Sequence, residues 1–82
     1  MREPLAAMIT SISPPSLRAR LAENLRSLRA EQGVSQEALA ELAGFHRTYV
    51  SQVERGTNSI TLDNLEKLAR ALNVDAVVLL QP

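Results

Sequence analysis

Arg47, Thr48, Ser51 and Gln52 fall at i, i+1, i+4 and i+5, so on a helix they share one face. All four side chains carry hydrogen-bonding groups. Val50 and Val53 lie on the opposite side of the same stretch and can be buried. A short helix packed on one side and polar on the other can enter a groove about 12 Å wide, the width of the B-DNA major groove. The chemistry on offer is recognition rather than bond making. The chain has one histidine, His46, no cysteine, no glycine-rich phosphate loop and no clustered carboxylates, so no catalytic site can be assembled.

Composition sets the limits within which that face must work. At 82 residues there is room for one domain and one modest core. The apolar share is 45% but the aromatic share only 2%, so Ala, Leu and Val fill the interior, which favours closely packed small helices. Without cysteine there are no disulfides or thiolate zinc sites, and a single histidine rules out a histidine metal cluster; no metal or cofactor is expected. No apolar run is long enough to cross a bilayer. Glu3 and Pro4 make the opening residues a poor secretion signal, and a reduced cytoplasm is the expected setting. Nine basic and nine acidic residues cancel, which counts against a nucleic-acid binder unless charge is locally placed. Eight of the nine basic residues are arginine, which suits bidentate contacts to guanine and phosphate.

The elements that would position the polar face can be read along the chain. Residues 1–13 lack a clear period and are expected to form a mobile N-terminal arm, although Leu5, Met8, Ile9 and Ile12 are able to dock. Residues 14–82 form the single domain. Ser13 can cap a helix opening on Pro14 and Pro15, with Leu17, Leu21, Leu25 and Leu28 as its stripe and Gly33 as its stop. Ser35 caps a short helix, Gln36 to Ala43, with Ala38, Leu39 and Leu42 turned inward. A small residue at Ala40 permits close approach of the next helix, and Gly44 supplies the positive φ of a sharp turn. Phe45 points inward, and a third helix runs from about Arg47 to Arg55, closed by Gly56. After the polar loop Thr57-Asn58-Ser59, Thr61 caps a fourth helix with Leu65, Leu68, Ala69 and Leu72 at i, i+3, i+4 and i+7. Asn73 ends it, and Asp75 caps a last turn. The run Val77-Val78-Leu79-Leu80 fits helix or strand.

Residues 28–36 (LRAEQGVSQ), Leu39-Ala40, residues 49–56 (YVSQVERG) and residues 65–72 (LEKLARAL) resemble, in order, the phage repressor and Cro-like helix-turn-helix family, often called the XRE family. The likeness covers about residues 21–80. Arg47 to Ser51 and Thr61 to Leu65 are most similar to the small controller regulators of restriction–modification systems. The resemblance implies an all-α fold, a compact bundle of about five short helices of the lambda-repressor-like kind. It implies base contacts from Arg47, Thr48, Ser51 and Gln52, and phosphate contacts from Gln36, Tyr49, Arg55 and Asn58. Plainer readings stand beside most of these: Arg47 and Gln52 can be solvated surface residues, Thr48 and Ser51 helix-surface fillers, Tyr49 can cover the core, Arg55 can favour the helix dipole, and Asn58 can shape its loop. Arg29 and Glu54 match a structural ion pair between the first and third helices. His46 departs from the family's Ser, Thr or Asp cap; its ring nitrogen can accept a backbone N–H or turn to a phosphate.

The implied function is a sequence-specific transcription regulator, a homodimer on a pseudo-palindromic operator in double-stranded DNA. Val74, Val77, Val78, Leu79 and Leu80 exceed what one terminal turn can bury and are the expected dimer surface, with the N-terminal arm as a second candidate. Repression would block polymerase, whereas activation would need RNA polymerase to touch a surface such as that around Glu37 and Glu41. Two other classes share these features: an antitoxin with a toxin partner and autoregulatory DNA binding, and a coactivator-like interaction module.

Overall fold

The computed structural model describes residues 16–82. The arm expected over residues 1–13, and Ser13 as a cap, lie outside them. Among the described residues the chain is all-helical: α1 (Leu17–Gln32), α2 (Gln36–Ala43), α3 (Arg47–Glu54), α4 (Leu62–Ala71) and a closing 3-10 helix, Ala76–Leu80.

Helix α1 opens later than its prolines imply. Ser16 is its cap, with Oγ accepting from the Ala19 N–H at 3.1 Å. The other caps fall where the sequence puts them. Ser35 Oγ accepts from Ala38, Thr61 Oγ1 from Asn64 and Asp75 Oδ1 from Val77, at 3.0, 3.1 and 2.9 Å. Each satisfies a backbone donor that the first helical turn leaves without a partner, worth about 1 kcal/mol. Asn73 takes φ 57, the left-handed conformation that halts α4 and turns the chain toward the 3-10 helix. The run 77–80 thereby resolves as helix.

The core is built from Leu21 and Leu25 of α1, Leu39, Ala40 and Ala43 of α2, Val50 and Val53 of α3, and Leu65, Leu68, Ala69 and Leu72 of the α4 segment. Leu79 completes it from the 3-10 helix and has no exposed surface. That corrects the expectation that Leu79 lies on a dimer surface: its side chain is enclosed by its own protomer. The Asn24 amide fixes this closure by donating to the Leu79 and Gln81 carbonyls at 3.0 and 2.8 Å.

Two other leucines point outward against expectation. Leu17 sits in the first turn of α1, where it lines an open groove instead of the core. Leu42 is 64% exposed. The buried arc of α2 runs through Leu39, Ala43 and Ala40, and at 3.6 residues per turn Leu42 lies roughly 100° away from its centre. Ala38, on the same side of the arc as Leu42, is only half-buried.

Candidate nucleic-acid interface

Helices α2 and α3 meet through a turn at Gly44, whose φ of 78 is one that L side chains rarely adopt. The turn is held by the Phe45 N–H donating to the Ala40 carbonyl at 2.8 Å. Ala40 is buried, as close approach of the two helices requires. His46 then caps α3: its Nδ1 accepts from the Thr48 N–H at 3.1 Å, so the neutral ring carries its proton on Nε2. The cap reading of this atypical residue is the one the structure adopts.

Val50, Val53 and Glu54 are buried and Tyr49 packs at the edge of the core, which leaves Arg47, Thr48, Ser51 and Gln52 to the other side of α3. Arg47 and Thr48 are exposed, while Ser51 and Gln52 are half-buried. Arg47 Nε lies 3.9 Å from Glu37 Oε1 with both side chains largely in solvent, a pairing worth little and easily exchanged for another anion. Ser51 Oγ accepts from Arg55 Nη1 at 2.9 Å, and Gln52 Oε1 accepts from Asn58 Nδ2 at 2.8 Å. Two expected base-reading residues are therefore each bonded to an expected phosphate residue.

Tyr49 does more than one thing. Its ring packs at 4.8 Å, tilted 55°, on Phe45, and its hydroxyl accepts from Asn64 Nδ2 at 3.1 Å. That leaves the phenolic hydrogen available to an acceptor. Gln36 is half-buried at the start of α2, and its Nε2 donates to Glu54 Oε1 at 2.9 Å.

Glu54 is the centre that locks these helices together. Arg29 grips its carboxylate in bidentate fashion, Nε to Oε2 at 2.7 Å and Nη2 to Oε1 at 2.9 Å. Arg29 Nη1 also donates to the Val34 carbonyl at 3.0 Å, and Arg26 donates to the Glu54 backbone carbonyl. Burial pushes the Glu54 carboxyl upward, but the hydrogen bonds from Arg29 and Gln36 and the charges of Arg29 and Arg26 outweigh it. The net result lies below the ordinary carboxylate value. The hydrogen bond to Glu54 correspondingly raises the Arg29 guanidinium, against a smaller opposing effect of burial.

The expected ion pair is thus present, but two of its supports, Arg26 and Gln36, were not foreseen as such. Neither was Asn64, which steadies Tyr49 from α4, nor Thr57, whose Oγ1 donates to the Gln52 carbonyl at 3.1 Å. Among the described residues no cluster of three His, Cys, Asp or Glu side chains could hold a metal, and no helix is long and apolar enough to cross a membrane.

Comparison with known proteins agrees with this geometry. A hypothetical transcription factor of Neisseria meningitidis is 54% identical over 66 residues, which are 80% of this chain and 62% of that protein's length. Control protein C.SmaI of Serratia marcescens is 52% identical over 60 residues, 73% of this chain and 71% of that one. Among solved structures, the transcription factor NHTF from Neisseria superposes with a TM-score of 0.80 at 52% identity, covering 84% of this chain and 82% of the other. The restriction–modification controller protein C.AhdI from Aeromonas hydrophila gives 0.74 at 44%, covering 76% and 94%. The helix-turn-helix family model HTH_3 matches residues 25–79, and the chain belongs to that family.

Proposed function

We propose that this protein is a DNA-binding transcription regulator that places α3 in the major groove and acts as a homodimer on a pseudo-palindromic operator. The observation that carries the reading is the two-sided construction of α3. Val50 and Val53 anchor one side, while Arg47, Thr48, Ser51 and Gln52 occupy the other. Gln36 and Tyr49 retain donors for phosphates, and Arg55 and Asn58 stand beside the reading residues. The names of the relatives, a transcription factor and control proteins of restriction–modification systems, point the same way. Local arginines, rather than a basic overall field, supply the attraction in a chain of zero net charge.

A short helix reads few base pairs, so a two-fold dimer would supply specificity by placing two α3 helices about 34–36 Å apart. Val77 is 63% exposed, and Val74, Val78 and Leu80 are partly so. Leu80 also borders an apolar groove of about 290 Å³ lined by Leu17, Ile60 and Leu62, the last of these 80% exposed. Burial of these exposed apolar side chains by a second copy is the dimer we propose, with Leu17 and Leu62 joining the valines and Leu79 excluded. Fluorescence anisotropy with selected and random duplexes across a salt series tests the reading. Sequence-selective binding that weakens steeply with salt is expected, and absence of salt-dependent binding would refute it.

A further inference from the structure

We propose that Asn58 fixes the direction of the Gln52 amide and thereby decides which base that side chain reads. The inference rests on the DNA-reading role of α3 and adds a specificity-determining residue outside the recognition helix.

The loop after α3 folds back onto Gln52. Gly56, at φ 69, reverses the chain. The N–H groups of Arg55 and Thr57 both donate to the Gln52 carbonyl at 3.2 Å, and Thr57 Oγ1 joins them at 3.1 Å. Main chain and side chain are held together, because Asn58 Nδ2 reaches Gln52 Oε1 at 2.8 Å. Both amides are half-buried, which limits competition from water.

A glutamine amide has one accepting end and one donating end. Asn58 engages one lone pair of the accepting end and holds that end toward the loop, and the free end is Nε2 with its two N–H donors, bonded to no side chain or carbonyl among the described residues. A donor-only end complements the adjacent O6 and N7 acceptors of guanine. It opposes the N4 amino group of cytosine, and the N6 amino group of adenine would have to share Oε1 with Asn58. Asn58 is thus a positioning residue: it selects guanine through Gln52 without touching a base.

The test is selection of bound sites from a random duplex pool by the full chain in four forms: wild type, Gln52→Glu, Asn58→Ala and Asn58→Asp. Ratios between sequences are read within each form, so a reduced folded fraction cancels. Glutamate only accepts, so Gln52→Glu locates the position this side chain reads by turning its guanine preference toward cytosine. Asn58→Asp can only accept from Gln52, turns the amide over, and moves the same position away from guanine by about tenfold in relative affinity. Asn58→Ala flattens the preference there and leaves the other positions unchanged. If Gln52→Glu shifts a position while both Asn58 variants keep its guanine preference, the inference is overturned and reading by Gln52 stands. If Gln52→Glu alters no position, base reading by Gln52 itself fails.

Discussion

Gln36 opens α2 and Glu54 closes α3, and the two meet: Gln36 Nε2 donates to the same carboxylate oxygen, Oε1, that accepts from Arg29. The two ends of the helix-turn-helix are thereby tied to each other and to α1. The reading face of α3 is held not only by the turn at Gly44 but also by one nearly buried carboxylate at its far end.

Removing that carboxylate leaves Arg29 partly buried with no countercharge. Glu54→Gln should cost toward the lower end of about 3–5 kcal/mol, because Arg29 retains some solvent contact. Denaturant unfolding of the two forms measures it. The folded-state pKa of Glu54 is depressed, so the stabilisation is complete above the ordinary value of 4.5 and fades as pH falls through the lowered value. The gap between wild type and Glu54→Gln should therefore be widest near neutrality and narrow in acid; a gap that widened in acid would contradict the assigned direction.

Gln36→Ala removes one hydrogen bond to Glu54 and leaves the Arg29 pair in place. A stability loss of about 1 kcal/mol is expected, together with weaker binding to operator and random DNA in equal proportion. A loss confined to one sequence would contradict the phosphate role of its second Nε2 hydrogen.

Arg47 is 61% exposed and its partner Glu37 more so, hence Arg47→Ala should leave the unfolding midpoint unchanged. Operator affinity should drop by about 1–3 kcal/mol, with relaxed preference at one position per half-site if the side chain meets guanine. Equal weakening on every duplex would make Arg47 a phosphate residue.

Leu79 and Val77 are neighbours with opposite fates. Leu79→Asp puts a carboxylate into the core and should prevent folding, whereas Val77→Asp and Leu62→Asp alter exposed side chains and should keep the helical circular dichroism. In sedimentation the two surface variants should run as monomers. A dimer unchanged by both would remove this face as the interface.

Much of this arrangement was legible in the sequence, because helix caps and helical periodicity are local signals. Ser35, Thr61 and Asp75 cap as their side chains predict, and Val50 and Val53 are buried as their spacing requires. Leu42 was misplaced because α2 is only eight residues long, too short for its apolar pattern to define a face uniquely. Leu79 was misplaced because a 3-10 turn puts neighbours in an apolar run on different sides, and periodicity cannot say which side meets the core. The contacts of Asn58 with Gln52, Asn64 with Tyr49 and Arg26 with Glu54 depend on how loops and helices come together. Nothing in spacing alone announces them.

The most direct test of the central claim is selection of DNA sites from a random pool by wild type and by Arg47→Ala. The proposed mode of action predicts a pseudo-palindromic site with half-sites about one helical turn apart, and loss of preference at the same position in each half for the variant. A pool that yields no enriched site, or one that Arg47→Ala leaves unchanged at every position, would contradict reading by α3.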